Sequence, residues 1–535
     1  MSETEPPLTI PGALDLAAEL TPDEQALVDG DLRLTWGQLR EQVRAAVKSL
    51  LALGTRRGDR IAVWAPNSHR WVVTALAVTS AGAVLVPVNT RYRGAEARRL
   101  LERGAARLLF VEDGFLGKDY LAMLDDGGDA APRDGACPVA GLPGLATVVT
   151  LDDDEEERPG TLPWREFLTH GIHLPDDEAA LRTACVRPDD PSDLLFTSGT
   201  TGRPKGALTT HRQNLTTYRA WSARTGVTGA DRYLIVNPLF HCFGYKAGVL
   251  ACLVRGATMV LERVFDVRKV LRAIEAERIT VLPGPPTIYI ELLGAGDRAL
   301  FDLSSLRLAV TGAAVVPVDL VRRMRAGLFP EVLTAYGLTE SCGTVSVCSA
   351  DDDAETVALT AGRPIDGVEV RITDADRRPL PAGADGEVLV RGYNVMLGYV
   401  DDPEASAAAV DDDGWLTTGD VGHLDERGNL VLTGRSKDMF TVGGFNVYPA
   451  EIEQVLAGHG AVAEAAVVGV PDTRLGEVGR AYVTVRPGSV ADPGVLLERC
   501  RDRLANFKVP REVVVLESLP RNAAGKVDKA ALRTD

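Results

Sequence analysis

Thr197-Ser198-Gly199-Thr200-Thr201-Gly202-Arg203-Pro204-Lys205-Gly206 is the stretch on which the fold turns. It follows an apolar run, Asp193 to Phe196, and precedes a segment able to form a helix. Gly199, Gly202 and Gly206 let backbone N–H groups approach an anion, the hydroxyls of Thr197, Ser198, Thr200 and Thr201 can donate to phosphate oxygens, and Lys205 adds a point charge. That composition is a phosphate loop. It is not a Walker A loop, because Gly199 would need Gly-Lys-Ser/Thr five residues on and the chain offers Pro204-Lys205-Gly206. A flexible linker is the alternative, but linkers are not flanked by a buried strand.

Outward from the loop, short β-rich apolar runs alternate with helical stretches: Arg60 to Trp64, Val84 to Val88, Arg107 to Val111, Tyr233 to Val236, Thr258 to Leu261, Thr280 to Leu282 and Leu306 to Thr311. Amphipathic segments such as Val267 to Arg278 lie between them. The alternation predicts α/β layering with largely parallel sheets. Trp71 to Val88 imitates a membrane span, but Thr74, Thr79, Ser80, Gly82 and Pro87 interrupt it; a buried helix, a glycine turn and a buried strand are expected instead. Gly114 to Pro191, rich in Gly, Asp and Pro, reads as a solvated excursion. Its acid run, Asp152 to Glu157, lacks the spaced ligands and glycine turn of a calcium loop.

After Gly434 the pattern becomes a compact α+β unit. Pro449 fits the first turn of a helix whose Ile452, Val455 and Leu456 share a face before Gly458 stops it, and strands follow at Ala465 to Val470, Ala481 to Val485 and Val513 to Leu516. The expected division is a large domain of layered α/β sheets over 1–434 and a smaller, mobile α+β domain over 435–535. The boundary falls near Arg435 to Lys437.

Composition excludes several classes. At 535 residues, 45% hydrophobic and 25% charged, the chain is neither a small stapled scaffold nor disordered. A net charge of −17 is unfavourable for gripping nucleic acid, so any polyphosphate must be held by a local arrangement. The 7 cysteines form no CxxC pair and are odd in number, which suggests neither a zinc site nor a complete disulfide framework and fits a reducing, cytoplasmic setting. Met1 to Leu20 carries acids and no cation, unlike a signal peptide.

With four further segments in order, the loop is similar to the signature of the acyl-adenylate-forming superfamily, which includes AMP-binding acyl-CoA synthetases. They are Tyr336-Gly337-Leu338-Thr339-Glu340, Thr418-Gly419-Asp420, Gly434-Arg435-Ser436-Lys437-Asp438 and Pro520-Arg521-Asn522-Ala523-Ala524-Gly525-Lys526. The resemblance runs from Leu14 to about Leu532. It implies the adenylate-forming fold, with ATP, Mg2+ and coenzyme A as cofactors and a small-molecule carboxylic acid as the remaining partner. It implies no nucleic acid and no membrane span, and it is compatible with a homodimer.

The chemistry is that of a poor electrophile made reactive: a carboxylate attacks the α-phosphorus of ATP, pyrophosphate departs, and a thiol then displaces AMP. The resemblance implies that Thr197 to Gly202 and Lys205 hold phosphates, that Glu340, beside Thr339, is the magnesium ligand, and that Asp420 binds ribose with Arg435 as companion. A carboxylate suits both a hard cation and a pair of adjacent hydroxyls. Gly312, Ala313 and Ala314 resemble the adenine-lining segment, with a plain packing corner as the alternative; Tyr336 and Gly337 belong to the same nucleotide site. Lys526 resembles the lysine that contacts the carboxylate and α-phosphate. Lys437 resembles the hinge about which the small domain rotates between half-reactions. Gly443, Gly444 and Phe445 look like the lining of the thiol channel, although Asn446 stands where some relatives carry a basic residue. Only nine of the 58 cations are lysines, so lysines at three motif positions are not the default surface choice.

Pro238-Leu239-Phe240-His241-Cys242-Phe243-Gly244-Tyr245-Lys246 resembles the acyl-pocket motif, which makes His241, Phe243, Gly244, Tyr245 and Lys246 candidates for acyl contacts. His241 reads either as a gate or as a core histidine. Lys246, with Gly284 to Tyr289, either serves ring ketones and bulk or projects to solvent past an apolar stem. The motif holds no Trp and no Asp, which disfavours a long-chain fatty acid gate and an amino-acid substrate. Together with GVPDTRLGEVGRA and GGFNVYPAEIEQVLA it resembles the branch of CoA ligases that activates the bicyclic indanedione propanoate of steroid-ring degradation. A medium-chain or aryl acid CoA ligase, or an acyl-AMP ligase loading a carrier protein, is the alternative.

Overall fold

The fold is that of a computed structural model, which describes every residue except 1–5, 127–138, 140, 153–159, 198–203, 313–315, 436–437, 443–444, 473–474, 505, 523–524 and 534–535. Among the described residues the strands fall into five sheets. The largest has eight strands, in the order 398–399, 205–210, 191–197, 84–87, 60–64, 106–111, 147–150 and 162–163. Its centre is parallel, and the hairpin made by Pro191–Thr197 and Lys205–Thr210 is antiparallel, so that residues 198–204 connect two paired strand ends.

The segment Trp71 to Val88 adopts the expected helix, turn and strand. The helix His69–Ser80 is capped by the Ser68 hydroxyl and buries every residue from Trp71 onward, which is why it reads as continuously apolar. Gly82 turns the chain at φ +73°, a left-handed conformation that favours glycine, and Val84–Pro87 follows in the sheet. Among the described residues no helix is long and apolar enough to cross a membrane.

Two further sheets are Arg232–Ile235 with 258–261, 25–29 and 32–35, which leads into the motif at 238–246, and Leu308–Gly312 with 331–336, 346–347 and 363–364, which carries Gly312 and Tyr336. Thr280 to Leu282 was expected to be a strand and is instead a link: Val281 alone bridges Tyr233 on one side and Leu308 on the other, and Pro283 follows. Proline cannot donate to a ladder, so pairing towards Tyr233 is not continued, while Gly284 N still donates to the Val310 carbonyl at 3.0 Å on the other side. The helix Val267–Glu277 matches its expected span, capped by Asp266.

Gly114 to Pro191 departs from the expected solvated excursion. Thr147–Thr150 adds a parallel strand beside Ala106–Val111, Tyr120 stacks on Trp64 at 4.1 Å, and Phe167 meets Phe110 edge-on at 5.2 Å. A few aromatic anchors hold a segment whose average composition is polar. Of the acid run, residues 153–157 lie outside the described residues.

From Phe440 onward the chain has its own sheet, in which Val462–Asp472 and Gly476–Val485 form a long antiparallel pair and Glu512–Leu516 adds in parallel. The helix Pro449–Ala457 begins at the expected proline and buries Ile452 and Leu456. The apolar clusters here, around Ile452, Val467 and Leu496 and around Val468 and Leu532, are distinct from those of the larger part, whose last fully buried member is Leu430.

Candidate active site

Four chain segments converge around the mouth of the 191–210 hairpin. Thr197 ends its first strand opposite Lys205, which starts the second. The intervening Ser198, Gly199, Thr200, Thr201 and Gly202 lie outside the described residues. The Lys205 ammonium sits 4.9 Å from the centroid of the Tyr399 ring, a cation–π contact.

Glu340 comes from a short turn, Thr339–Ser341, closed by Cys342 at φ +55°. The Tyr399 hydroxyl donates to Glu340 Oε1 at 2.8 Å, Thr197 Oγ1 reaches the same oxygen at 3.5 Å, and Met396 N donates to the Glu340 carbonyl at 2.9 Å. Burial, and then the neighbouring Glu340 charge, push the Tyr399 phenol far above its usual range, so it remains a donor. Thr197, Lys205 and Glu340, three residues expected from separate motifs, are thus joined by a tyrosine that no motif announced. An oriented carboxylate beside a hydroxyl is the donor set of a hard cation, and the residues present fit magnesium.

On the nucleoside side, the parallel strands Leu308–Gly312 and Glu331–Tyr336 end together, with Gly312 in register with Ala335. A Cβ on Gly312 would stand 2.4 Å from the Ala335 carbonyl oxygen, so glycine is required by the approach of the two backbones. Ala313 and Ala314, next in the chain, lie outside the described residues. Tyr336 donates its hydroxyl to the Asp420 carboxylate, and Asp420, 4% exposed, pairs in register with Arg435. Gly337 is likewise forced, since a Cβ would meet the Gly343 carbonyl oxygen at 2.2 Å.

The acyl motif begins on a pinned turn. Asn67, buried, donates to the carbonyls of Ile235, Asn237 and Glu262 and accepts from Leu239 N at 2.8 Å. His241 then caps the following turn, its Nδ1 accepting from Phe243 N at 3.2 Å, which leaves the proton of the neutral ring on Nε2. Its ring also lies 3.8 Å from the Cys242 thiol. Cys242 raises the imidazole above its ordinary range; burial works against the Cys242 thiolate, but His241, with the Lys246 and Lys526 ammoniums, outweighs it and brings the thiol down. Gly244 is buried where a Cβ would strike the Pro238 carbonyl oxygen at 2.2 Å, so it closes the turn. Phe243 is partly buried against the main core.

Tyr245 and Lys246 correct the expectation of a contiguous acyl-contact run. Tyr245 has no exposed surface and packs edge-on against Trp71 at 5.5 Å. Lys246 does not reach solvent: its ammonium is fully buried, 2.8 Å from Asp193 Oδ1 and 2.9 Å from Thr209 Oγ1. The motif curls into a helix after Cys242, so these two side chains turn inward.

Lys526 stands in a tight turn in which Asn522 N donates to the Lys526 carbonyl at 2.8 Å and Lys526 N donates to Asn522 Oδ1 at 3.1 Å. Gly525 takes φ +79°, and Arg521 donates to its carbonyl at 2.9 Å. Lys526 is exposed, and its charge is a minor influence that disfavours protonation of His241 and favours the Cys242 thiolate. Lys437, Gly443 and Gly444 lie outside the described residues, as do the side chains of Arg435 and Phe445.

The structure thus brings Thr197, Lys205, Glu340 and Tyr399 together, pairs Tyr336 with Asp420 and carries Lys526 beyond a separate small sheet. Residues 14–400 match the family described as AMP-binding enzyme, and residues 451–526 match the AMP-binding enzyme C-terminal domain. The chain belongs to the AMP-binding enzyme family, and it is an acid–thiol ligase of the AMP-forming class. It is 53% identical to the 3-[(3aS,4S,7aS)-7a-methyl-1,5-dioxo-octahydro-1H-inden-4-yl]propanoyl:CoA ligase of Mycobacterium tuberculosis, over 98% of each chain. It is 51% identical to the ligase of the same name from Rhodococcus jostii, over 99% of each. Among solved structures, the anthranilate CoA ligase AuaEII in complex with anthranoyl-AMP superposes with a TM-score of 0.86 at 27% identity, over 100% of this chain and 98% of that one.

Proposed function

We propose that the acid activated by this chain is the bicyclic indanedione propanoate named for its two actinobacterial relatives, and that coenzyme A is the thiol. The observation that carries the reading is identity above half over essentially the whole chain with two ligases of that one acid. The carboxylate oxygen attacks the α-phosphorus of ATP, the bond to the pyrophosphate oxygen breaks, and the mixed anhydride forms. The CoA sulfur then attacks its carbonyl carbon and AMP leaves with the C–O electron pair.

In this reading Lys526 sits between the carboxylate and the α-phosphate, where an ammonium offsets the repulsion of two anions and stabilises the charge that develops. Lys205 and Thr197 hold the phosphate end, Asp420 with Tyr336 orients the ribose, and Glu340 holds magnesium. That ion would supply charge neutralisation on the polyphosphate. His241 and Phe243 bound the acyl end. Two domains, 1–434 and 435–535, rotate about Lys437, withdrawing Lys526 and bringing Gly443, Gly444 and Phe445 to the thiol; the separate apolar clusters on either side support the division. The cysteine pattern supports a cytoplasmic enzyme, and assembly as a homodimer is included in the proposal.

The test is a panel of acids (the indanedione propanoate, octanoate and benzoate) assayed for AMP release and thioester with ATP, magnesium and CoA. The indanedione propanoate is expected to give the highest kcat/KM. Preference for octanoate or benzoate would replace this substrate with a medium-chain or aryl acid, and AMP release without CoA thioester would point to carrier loading.

A further inference from the structure

Lys246 and Asp193 form an ion pair with side chains 1% and 0% exposed, deep in the larger part of the molecule. Each ion taken from water costs several kcal/mol after relaxation, and well-packed apolar residues of similar volume commonly give equal or greater stability. A pair of this kind therefore calls for an explanation other than stability. Its location offers one.

Asp193 lies in the hairpin strand Pro191–Thr197, four residues before Thr197, and is in register with Thr209 on the returning strand. Thr209 Oγ1 donates to Asp193 Oδ1 at 2.8 Å while accepting from Lys246 at 2.9 Å. Ser192 Oγ donates to Asp193 Oδ2 at 2.8 Å, and Asn214 Nδ2 donates to the same oxygen. The carboxylate is thus saturated, and its position is fixed relative to both strands that carry the phosphate loop. Lys246 lies five residues after His241, in a π-helical turn, Tyr245–Leu250. Wide turns of this type are frequent at functional sites. Burial works against the ammonium, and Asp193 outweighs it, so Lys246 remains charged.

We propose that Lys246, paired with Asp193, is a positioning residue for adenylation, setting the acyl motif at a fixed distance from the phosphate-loop hairpin. The inference rests on the adenylating role argued above. A carboxylate held on one segment and a phosphate held on another must meet within a near-attack distance, and a misplacement on the order of 1 Å costs about a hundredfold. A buried pair serves this purpose because its directional bonds fix one register, whereas an apolar contact of equal size permits sliding.

The test uses the full-length enzyme and three variants, Lys246→Met, Asp193→Asn and the neutral double. Either single change leaves a buried group unmatched and is expected to lower the melting temperature. The double removes both charges together, so it should fold with a melting temperature near that of the parent. At saturating ATP and acid, its adenylation rate should fall tenfold or more, while thioester formation from preformed acyl-adenylate stays within twofold of the parent. A stability role alone would not produce that split. A double variant that adenylates at the parental rate, loses both steps equally or does not fold overturns the proposal. Failure of the parent to adenylate the acid would instead overturn the functional reading.

Discussion

Tyr399→Phe removes one hydroxyl and little else. The ring remains to face the Lys205 ammonium at 4.9 Å, and the backbone bond from Met396 still holds the Glu340 turn. What is lost is the 2.8 Å donation to Glu340 Oε1. A hydrogen bond to a charged group contributes about 1.5–3 kcal/mol. The lower end applies here, because Glu340 is half-buried and accessible to replacement water, and the Thr197 hydroxyl remains as a second donor at 3.5 Å. About 1.5 kcal/mol corresponds to roughly a tenfold loss in kcat/KM for the adenylation step. The loss should enter through the position of the carboxylate, so it should be larger at limiting magnesium than at saturating magnesium.

The assay is ATP–pyrophosphate exchange with the acid, titrated with magnesium, alongside thioester formation from preformed adenylate. A tenfold loss in exchange with an unchanged thiol step is expected. Two results would refute the reasoning. Parental exchange at limiting magnesium would mean the hydroxyl does not orient Glu340, and equal loss in both half-reactions would mean that the contact supports the fold and not one step.

Lys526→Ala should be one-sided, lowering single-turnover adenylation by roughly a hundredfold or more, as for loss of a single oxyanion donor, while thioester formation from supplied adenylate continues; equal loss in both would count against rotation about Lys437. Gly337→Ala places a Cβ 2.2 Å from a backbone oxygen that cannot swing aside, so the turn carrying Glu340 must shift; differential scanning calorimetry should show a lower melting temperature together with lost exchange activity. His211 is buried, and burial holds its imidazole down at about 4 from an ordinary 6.5. Between those values the unfolded chain takes up a proton that the folded one refuses, so stability is full above pH 6.5 and falls as the pH drops towards 4, by up to about 3 kcal/mol. Urea unfolding followed by tryptophan fluorescence should show a smaller decline from pH 7 to 4.5 in His211→Gln, and an unchanged decline would remove His211 as the cause.

Much of this was legible because local rules and global fold agree. The strands Arg60–Trp64 and Thr258–Leu261 and the helix Val267–Glu277 follow from apolar periodicity bounded by turn or capping residues, and the strand before the phosphate loop from its apolar run, but where a helix was expected directly after the loop the strand Lys205–Thr210 returns first. Glu340 and Asp420 were found because a motif fixes their sequence neighbours. Tyr399 was not, since it lies 59 residues from Glu340 in chain order and only the pairing of Gly398–Tyr399 with 207–208 brings it there. Long-range pairing of that kind has no periodic trace. The buried aromatic anchors of the 114–191 segment were hidden for a different reason, because an average over a polar stretch conceals a few residues that do the packing.

Lys246 was misread for the reason that makes it informative. A lone lysine before the apolar run Ala247 to Leu253 reads either as an acyl contact or as a side chain projecting to solvent, and a lone aspartate before Leu194, Leu195 and Phe196 reads as the start of an apolar strand. Each alone has an inexpensive surface reading. Taken together, two opposite charges embedded in two runs that must both be buried cannot reach water unless one run leaves the core, and the remaining solution is for each to neutralise the other. The pattern to search for is therefore not a motif but a complementary pair of exceptions: one cation and one anion, each interrupting a segment whose burial is otherwise required. Here those segments are the strand that leads into the phosphate loop and the helix that follows the acyl motif, so the pair ties together the two sides of the reaction that adenylation must bring into contact.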